Sequence, residues 1–392
     1  MPKLVLKVAK TALFAALGVF LVISALPQAQ AGVTYKDGNK WVKFGGRIQL
    51  QYHSEDPDEG SSTDEMFFRR LRPYIEGSIH PDWTGKFQFD YGKAEDDNEM
   101  AIKDAYLTYD GFDMVTITVG NASTPFSREF LTSSKRQQLV ERTFVGDHNY
   151  GTPDRAPGVH LSGNVLDKKL GWAVSGVQSC IDPDNSKLDF DTPVNRNEDF
   201  NEGWMAVGRV DYHPFGYLKM AQGDFDRENL KATISLAAFT WSNDDDNNDA
   251  PDDADFLPED TDVDSVNGFE VSGAFRFMGF SVDAEYNFFN SELVNNGVTA
   301  GLYENSETDL ENWAVEGGYM LPGNMVEIVA GYESQDADSY EETWNRTSVG
   351  ANYFFTGNHD IKLQATYRMG ENKDGVDGDD VDDVFVQMQY VF

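Results

Sequence analysis

The chain has 392 residues, 40% of them hydrophobic and 13% aromatic, with 31 Lys and Arg against 67 Asp and Glu for a net charge of −36. So acidic a balance excludes the clustered-base footprint of a nucleic-acid binder, and the apolar residues recur in short regular runs that exclude a compositionally disordered chain. The single cysteine, Cys180, excludes an intrachain disulfide framework.

Lys3, Lys7 and Lys10 form a basic leader, Thr11 to Leu26 is an uncharged run, and Ala29-Gln30-Ala31 supplies an A-x-A cleavage signal. Together these predict a cleaved export signal over 1–31, with Gly32 as the first mature residue. The uncharged run falls short of the ~20 residues that a spanning helix needs. No later run reaches that length, so residues 32–392 are read as one β domain.

From there the chain alternates with a period of two. Lys86 to Tyr91 (KFQFDY), Met114 to Gly120 (MVTITVG) and Ile361 to Tyr367 (IKLQATY) place apolar side chains on one parity and polar or small ones on the other. The last segment sets Val384, Val386, Met388, Tyr390 and Phe392 against Gln387 and Gln389. The connections sort by length. Short ones fall at 80–83, 110–113, 165–168, 214–216, 278–279, 322–323 and 356–359. Long ones fall at 53–65, 94–99, 123–156, 179–202, 243–265, 290–309, 336–344 and 369–381. This predicts an all-β fold: a sixteen-stranded antiparallel transmembrane β-barrel with short periplasmic turns and long external loops, both termini on the short-turn side. Pro73 cannot donate to a ladder and predicts a bulge or change of face nearby, which leaves the facing of Arg69, Arg70 and Arg72 open.

Trp41, Tyr52, Trp83, Tyr91, Tyr109, Trp172, Tyr212, Trp241, Phe289, Trp313, Tyr332 and Tyr353 fall near segment ends, which suits interfacial girdles, with the ordinary preference of aromatics for strands as the alternative. The long loops are acidic. Asn243 to Ser265 carries eleven acids and no base. They are read as solvated loops, with weak divalent-cation binding as the alternative. The EF-hand pattern fails there, since Asp249 and Asp255 stand where Gly and Glu are needed. No bound cofactor and no metal site is expected.

The second segment is more specific. Phe67-Phe68-Arg69-Arg70-Leu71-Arg72-Pro73-Tyr74-Ile75-Glu76-Gly77 resembles the phosphate-selective porin O and P family. So do Ile102-Lys103-Asp104-Ala105-Tyr106-Leu107, Val119-Gly120-Asn121 with Pro125-Phe126-Ser127, Leu131-Thr132-Ser133-Ser134, Glu141-Arg142 and the terminal Tyr390-Val391-Phe392. The matching stretches are dense over 44–163 and diffuse afterwards. The resemblance implies a homotrimer of sixteen-stranded barrels in outer-membrane lipid, with a third external loop folded inward and small inorganic ions, phosphate among them, passing along basic residues.

Composition singles out the same loop. The 123–156 connection is the longest, nearly neutral, and carries Phe126, Phe130, Leu131, Leu139, Val140 and Phe144, so it is expected inside the lumen. Arg128, Lys135, Arg136 and Arg142 are its expected constriction and anion-binding residues, replacing part of an oxyanion's hydration with charged donors. Alternation points Arg47, Arg70, Arg72, Lys86, Arg209 and Lys362 into the lumen as pore wall, with Lys43 and Arg368. The same rule points Glu76, Asp90, Asp104, Asp211, Glu327 and Glu333 inward, so the wall charges nearly balance. None of His53, His80, His148, His160, His213 and His359 sits in a nucleophile–base motif, and no enzyme is expected. The expected function is an outer-membrane porin, a water-filled channel that passes small ions, anions such as phosphate ahead of cations, through a constriction lined by basic residues. The alternatives are a general or cation-preferring porin and a structural or adhesive barrel.

Overall fold

The computed structural model describes residues 32–58, 60–92, 100–182, 184–190, 192, 194, 200–244 and 261–392. The expected export signal at 1–31 and the acidic stretch 245–260 lie outside the described residues. Seventeen strands follow in chain order: β1 (Val33–Asp37), β2 (Lys40–Pro57), β3 (Thr63–His80), β4 (Trp83–Asp90), β5 (Ala101–Tyr109), β6 (Thr116–Ser123), β7 (Arg155–Val165), β8 (Leu170–Cys180), β9 (Glu202–Tyr212), β10 (Lys231–Asn243), β11 (Val263–Phe277), β12 (Phe280–Leu293), β13 (Glu307–Met320), β14 (Val326–Ala337), β15 (Trp344–Phe354), β16 (Ile361–Glu371) and β17 (Val381–Val391). Each of β2 to β17 pairs antiparallel with its neighbours, and β17 returns to pair with β2 from Val381↔Pro57 to Val391↔Arg47. Sixteen strands therefore close the barrel, as the loop sorting predicts. Closure leaves no unpaired ladder edge in lipid, which is why a strand-built protein can span a bilayer at all. The extra strand β1 pairs with the start of β2, from Val33↔Phe44 to Asp37↔Lys40, below the point where β17 ends.

The period of two sets the two faces. On β10, Ile234 and Leu236 are exposed while Thr233 and Ser235 are buried; on β12, Phe280 and Val282 are exposed while Ser281 and Asn287 are buried. Lipid takes the first set and the lumen the second. Aromatic pairs on the outer face, Trp83 with Tyr109 (5.0 Å between centroids) and Phe280 with Tyr319 (4.6 Å), mark the short-turn end. Trp313 pairs with Tyr332 (5.1 Å) nearer the long loops.

Two of the expected girdle residues are corrected. Trp241 and Phe289 are fully buried inside the barrel. They join Phe126, Phe190, Phe239 and Tyr303 in an apolar core that fills the long-loop end between β8 and β13. The Trp241 indole N–H is satisfied there by the Ser179 carbonyl at 3.0 Å.

The expected 214–216 turn is also corrected. β9 ends at Tyr212 and β10 starts at Lys231, so this connection runs over 213–230. Leu218, Ala221, Gln222 and Asp224 within it are buried. The His-Pro-Phe-Gly stretch looks like a complete turn. The segment after it turns into the lumen because its polar groups find partners there, among them Gly279 N–H donating to the Asp224 carboxylate at 2.7 Å.

The change of face in β3 lies at Arg69, four residues before Pro73. Gln49 pairs with Arg70 and Leu50 with Phe68, leaving Arg69 as the extra residue of a bulge. Before it the even positions face lipid, with Met66 and Phe68 exposed; after it Arg70 turns inward and Ile75 is exposed. A bulge lets two consecutive side chains share one face. A second one on β5 does the same for Lys103 and Asp104, since Gln88 pairs with Asp104 and Phe89 with Ile102.

Candidate functional site

The 124–154 connection lies against the lumenal face of the second half of the barrel. It contains a one-turn helix, α1 (Arg128–Leu131), capped by the Ser127 hydroxyl accepting from Phe130 N–H at 3.0 Å. Inward-facing carboxylates of β11, β12 and β14 accept its amides: Glu270 from Arg128 N–H (3.2 Å), Glu285 from Glu129 N–H (2.9 Å) and Glu333 from Phe144 N–H (2.7 Å). Glu327 accepts from the Gln138 side chain at 2.7 Å, and Gly318 leaves room for that amide, which a Cβ would meet at 2.2 Å. Wall donors hold the loop carbonyls. Lys362 Nζ and Gln364 Nε2 bond to Gln137 O and Gln138 O at 2.8 and 3.0 Å, and Asn352 bonds to Gln138 O at 2.9 Å. Each such bond contributes about 0.5–1.5 kcal/mol net, but leaving one buried partner unmet costs about 1–3 kcal/mol, so the loop is held as a unit.

The 213–230 connection meets this loop from the short-turn end. Gln222 N–H donates to Arg136 O (3.0 Å), and the Gln222 side chain accepts from Gln138 N–H (2.6 Å) and donates to Glu316. The Arg276 guanidinium donates to Ala221 O at 2.9 Å.

What stays open is a cavity of about 890 Å³, walled by β2 to β9, by the 124–154 loop and by the start of the 213–230 connection. Among the described residues, none from β10 to β17 lines it. Eleven Lys and Arg side chains line it against six Asp and Glu, a net positive channel inside a strongly negative chain. The apparent balance of wall charge is therefore divided in space. Glu270, Glu285, Glu327 and Glu333 lie beneath the loop, whereas Lys43, Arg47, Arg70, Arg72 and Lys86 face the open half.

Several of these bases are paired. Arg72 pairs with Asp90, Lys86 with Asp104 at 2.5 Å, and Arg209 with Asp211 at 3.0 Å and with Glu270. Arg155 bridges Asp104 (2.7 Å) and Asp154 (2.8 Å), and Lys103 lies 3.7 Å from Asp154. Arg69 grips Glu141 with two bonds at 2.7 and 3.1 Å, and Gln51 donates to the same carboxylate at 2.8 Å. Burial alone would raise the Glu141 pKa, but Arg69 and Arg70 outweigh it and hold the carboxyl well below its usual range. Arg47, Lys135 and Arg142 have no carboxylate at ion-pair distance among the described residues. Arg47 donates to Ser133 Oγ at 3.2 Å, and Arg142 to Phe130 O at 3.0 Å. Their Nε groups are buried donors without a protein partner.

Of the four loop residues singled out by sequence, Lys135 and Arg142 line the cavity; Arg128 and Arg136 do not. Arg128 is buried, with Nε donating to Asp283 at 3.1 Å and Nη1 to Met220 Sδ at 3.2 Å. Of the six wall residues, Arg47, Arg70, Arg72, Lys86 and Arg209 line the cavity. Lys362 is fully buried under the loop, because its inward position lies in the half of the lumen that the loop fills. Sequence reasoning left Arg69 open and missed Lys103 and Arg155 as lining residues. The signal for Arg69 and Lys103 was present. A cation facing lipid at the midplane costs about 2–4 kcal/mol, so tandem charges such as Arg69-Arg70 and Lys103-Asp104 demand a bulge that turns both inward.

Burial, with Arg47, Arg136 and Lys86 nearby, lowers the Lys135 pKa to about 8. His148 also lines the cavity. Burial opposes its charge, but the Asp189 carboxylate 2.5 Å away and Asp147 prevail and raise its pKa to about 9. Both are cations at neutral pH and lose that charge as pH rises. The anion-to-cation permeability ratio is therefore expected to fall roughly tenfold across pH 7 to 9, since loss of one unit charge ~6 Å away in a water-like medium changes the local concentration about threefold for each sign of ion. Reversal potentials measured over that range check it. Lys135→Arg should abolish the component near pH 8 and leave the one near pH 9.

Residues 42–392 match the model of the family described as phosphate-selective porin O and P. Porin O of Pseudomonas aeruginosa is 30% identical over 130 residues, a match that covers 32% of this chain and 29% of that protein. An uncharacterised protein of Aquifex aeolicus is 22% identical over 384 residues, covering 90% of this chain and 86% of its own length. Among solved structures, the anion-selective porin from Comamonas acidovorans superposes with a TM-score of 0.59 over 90% of this chain and all of that one, at 11% identity, which speaks for the fold alone. This chain belongs to the phosphate-selective porin O and P family: it is an outer-membrane β-barrel porin, a channel and not an enzyme.

Proposed function

We propose that the channel passes small anions in preference to cations, oxyanions such as phosphate among them, through the open half-lumen beside the 124–154 loop. The observation that carries this reading is the spatial division of charge. Glu270, Glu285 and Glu333 on the wall bond to the loop backbone beneath it, which leaves the open cavity lined by eleven bases against six acids. Lys43, Arg47, Lys135 and Arg142 line it with no carboxylate at ion-pair distance among the described residues, and Ser133 and Ser134 stand on the same lining. Arg69, Arg70, Arg72, Lys86 and Arg209 add a partly neutralised basic wall. In this reading Arg128 and Arg136 hold the loop in place rather than touch the ion. Several modest sites suit conduction, since an ion must leave as readily as it enters. The working assembly is a homotrimer in outer-membrane lipid, reached by an export signal removed at Ala31, and no cofactor takes part.

The test is the reversal potential of the purified protein in a planar bilayer under a chloride gradient, repeated with phosphate. Reversal toward the chloride potential, with phosphate reducing chloride current, is the expected result. Reversal on the cation side, indifferent to phosphate, would leave a porin governed by its acidic loops.

A further inference from the structure

We propose that His53, Glu55 and Asp383 form a site for a divalent transition-metal ion on the lumen wall, at the long-loop end of the seam where β17 closes on β2. One ligand atom from each residue lies within 4.8 Å of the other two. The seam ladder makes the placement. Residues 53 and 55 share a face by alternation, and the register sets Asp383 directly opposite Glu55 and Phe385 opposite His53. The His53 ring stacks on Phe385, with centroids 4.5 Å apart and planes 9° apart, which fixes its orientation. His53 Nε2 then stands 2.7 Å from Asp383 Oδ1.

Two carboxylates directly opposite each other on a ladder repel. The Glu55 carboxylate has no hydrogen-bond or ion-pair partner among the described residues. Arg368, which lies over the Phe385 ring, faces Glu333 at 3.6 Å. An ion held between the three groups removes the repulsion. The donor set decides the kind of ion. Imidazole with two carboxylates suits zinc, manganese or ferrous iron, while calcium and magnesium take oxygen ligands. Ligands ~2.1 Å from one zinc stand ~3.0–3.5 Å apart, which side-chain rotation reaches from the present positions without moving the ladder.

The site is one inward step beyond Gln51, whose side chain holds Glu141 at the edge of the cavity. A bound ion would place positive charge at the lip of the pathway, with its remaining positions open to water. The inference does not depend on which ions the channel prefers.

Calorimetric titration of zinc into the folded full-length protein tests it, with millimolar calcium present to occupy hard-cation sites on the acidic loops. One zinc per chain that survives calcium is expected. His53→Ala and Asp383→Asn should each weaken it by at least about tenfold, as loss of a ligand must if removing a residue that only hydrogen-bonds a ligand costs that much. Unchanged single-channel conductance of both variants in EDTA shows that they fold. Zinc binding that calcium abolishes, or that persists unweakened in folded His53→Ala, would overturn the site.

Discussion

Replacing Arg47 and Lys135 together by glutamate is expected to abolish the channel's preference for anions. Both side chains line the cavity, and neither has a carboxylate at ion-pair distance among the described residues. Their charge is therefore fully available to a passing ion, unlike that of Arg72, which Asp90 offsets. Reversing one unit charge ~6 Å from an ion in a water-like medium changes the ion's energy by about 1.4 kcal/mol, about tenfold in local concentration for each sign. Two reversals take the lining from eleven bases and six acids to nine and eight, so the reversal potential should fall close to zero. Lys168→Glu is the control. It makes the same charge change on an exposed turn between β7 and β8, and salt screens it from the lumen beyond ~8–10 Å. If Lys168→Glu moved the reversal potential as far as either pore substitution, overall charge and not the geometry of the lumen would set selectivity.

Excising residues 216–228 and joining the strands with an Asn-Gly turn is expected to raise conductance, weaken discrimination between ions and destabilise the barrel together. The excised segment fills the short-turn end of the lumen with Leu218, Ala221, Gln222 and Phe225. Phe225 packs edge-on against Phe354 at 4.9 Å. Its removal strands the Gln138 amide, the Glu316 carboxylate and one donor of Arg276, all buried groups that it now satisfies. At about 1–3 kcal/mol for each unmet group, the loss is several kcal/mol unless water enters. Water entry is what widens the path. Single-channel recording and thermal unfolding on gels read the two effects. An unchanged conductance with lowered thermal stability would mean that the segment fills dead space and does not bound the path.

The strand count and the lipid-facing residues were legible because both follow from local rules. Alternation along each strand and sorted loop lengths report them without any distant contact. The inward character of the 124–154 loop was legible from its contrast in charge with the other long loops. The 213–230 connection was not, since Pro214-Phe215-Gly216 satisfies every local criterion for a turn. Trp241 and Phe289 misled for a related reason: an aromatic near a strand end suits either the interface or a packed interior. Arg69 was left open because a bulge changes parity within one residue, and only the pairing of Leu50 with Phe68 locates it.

By itself the sequence determined that this chain closes a sixteen-stranded barrel whose one nearly neutral long loop stands apart from the acidic ones, because backbone hydrogen bonding in lipid permits few other uses of such segments. Only the tertiary structure decided the balance of charge along the path. Alternation reports whether a side chain faces the lumen but not which half of the lumen remains open. Seating the loop on β11, β12 and β14 withdraws Glu270, Glu285, Glu327 and Glu333 from the path and buries Lys362 with them. That follows from which wall residues meet a loop more than a hundred residues away in the chain, a matter of packing that no local pattern encodes.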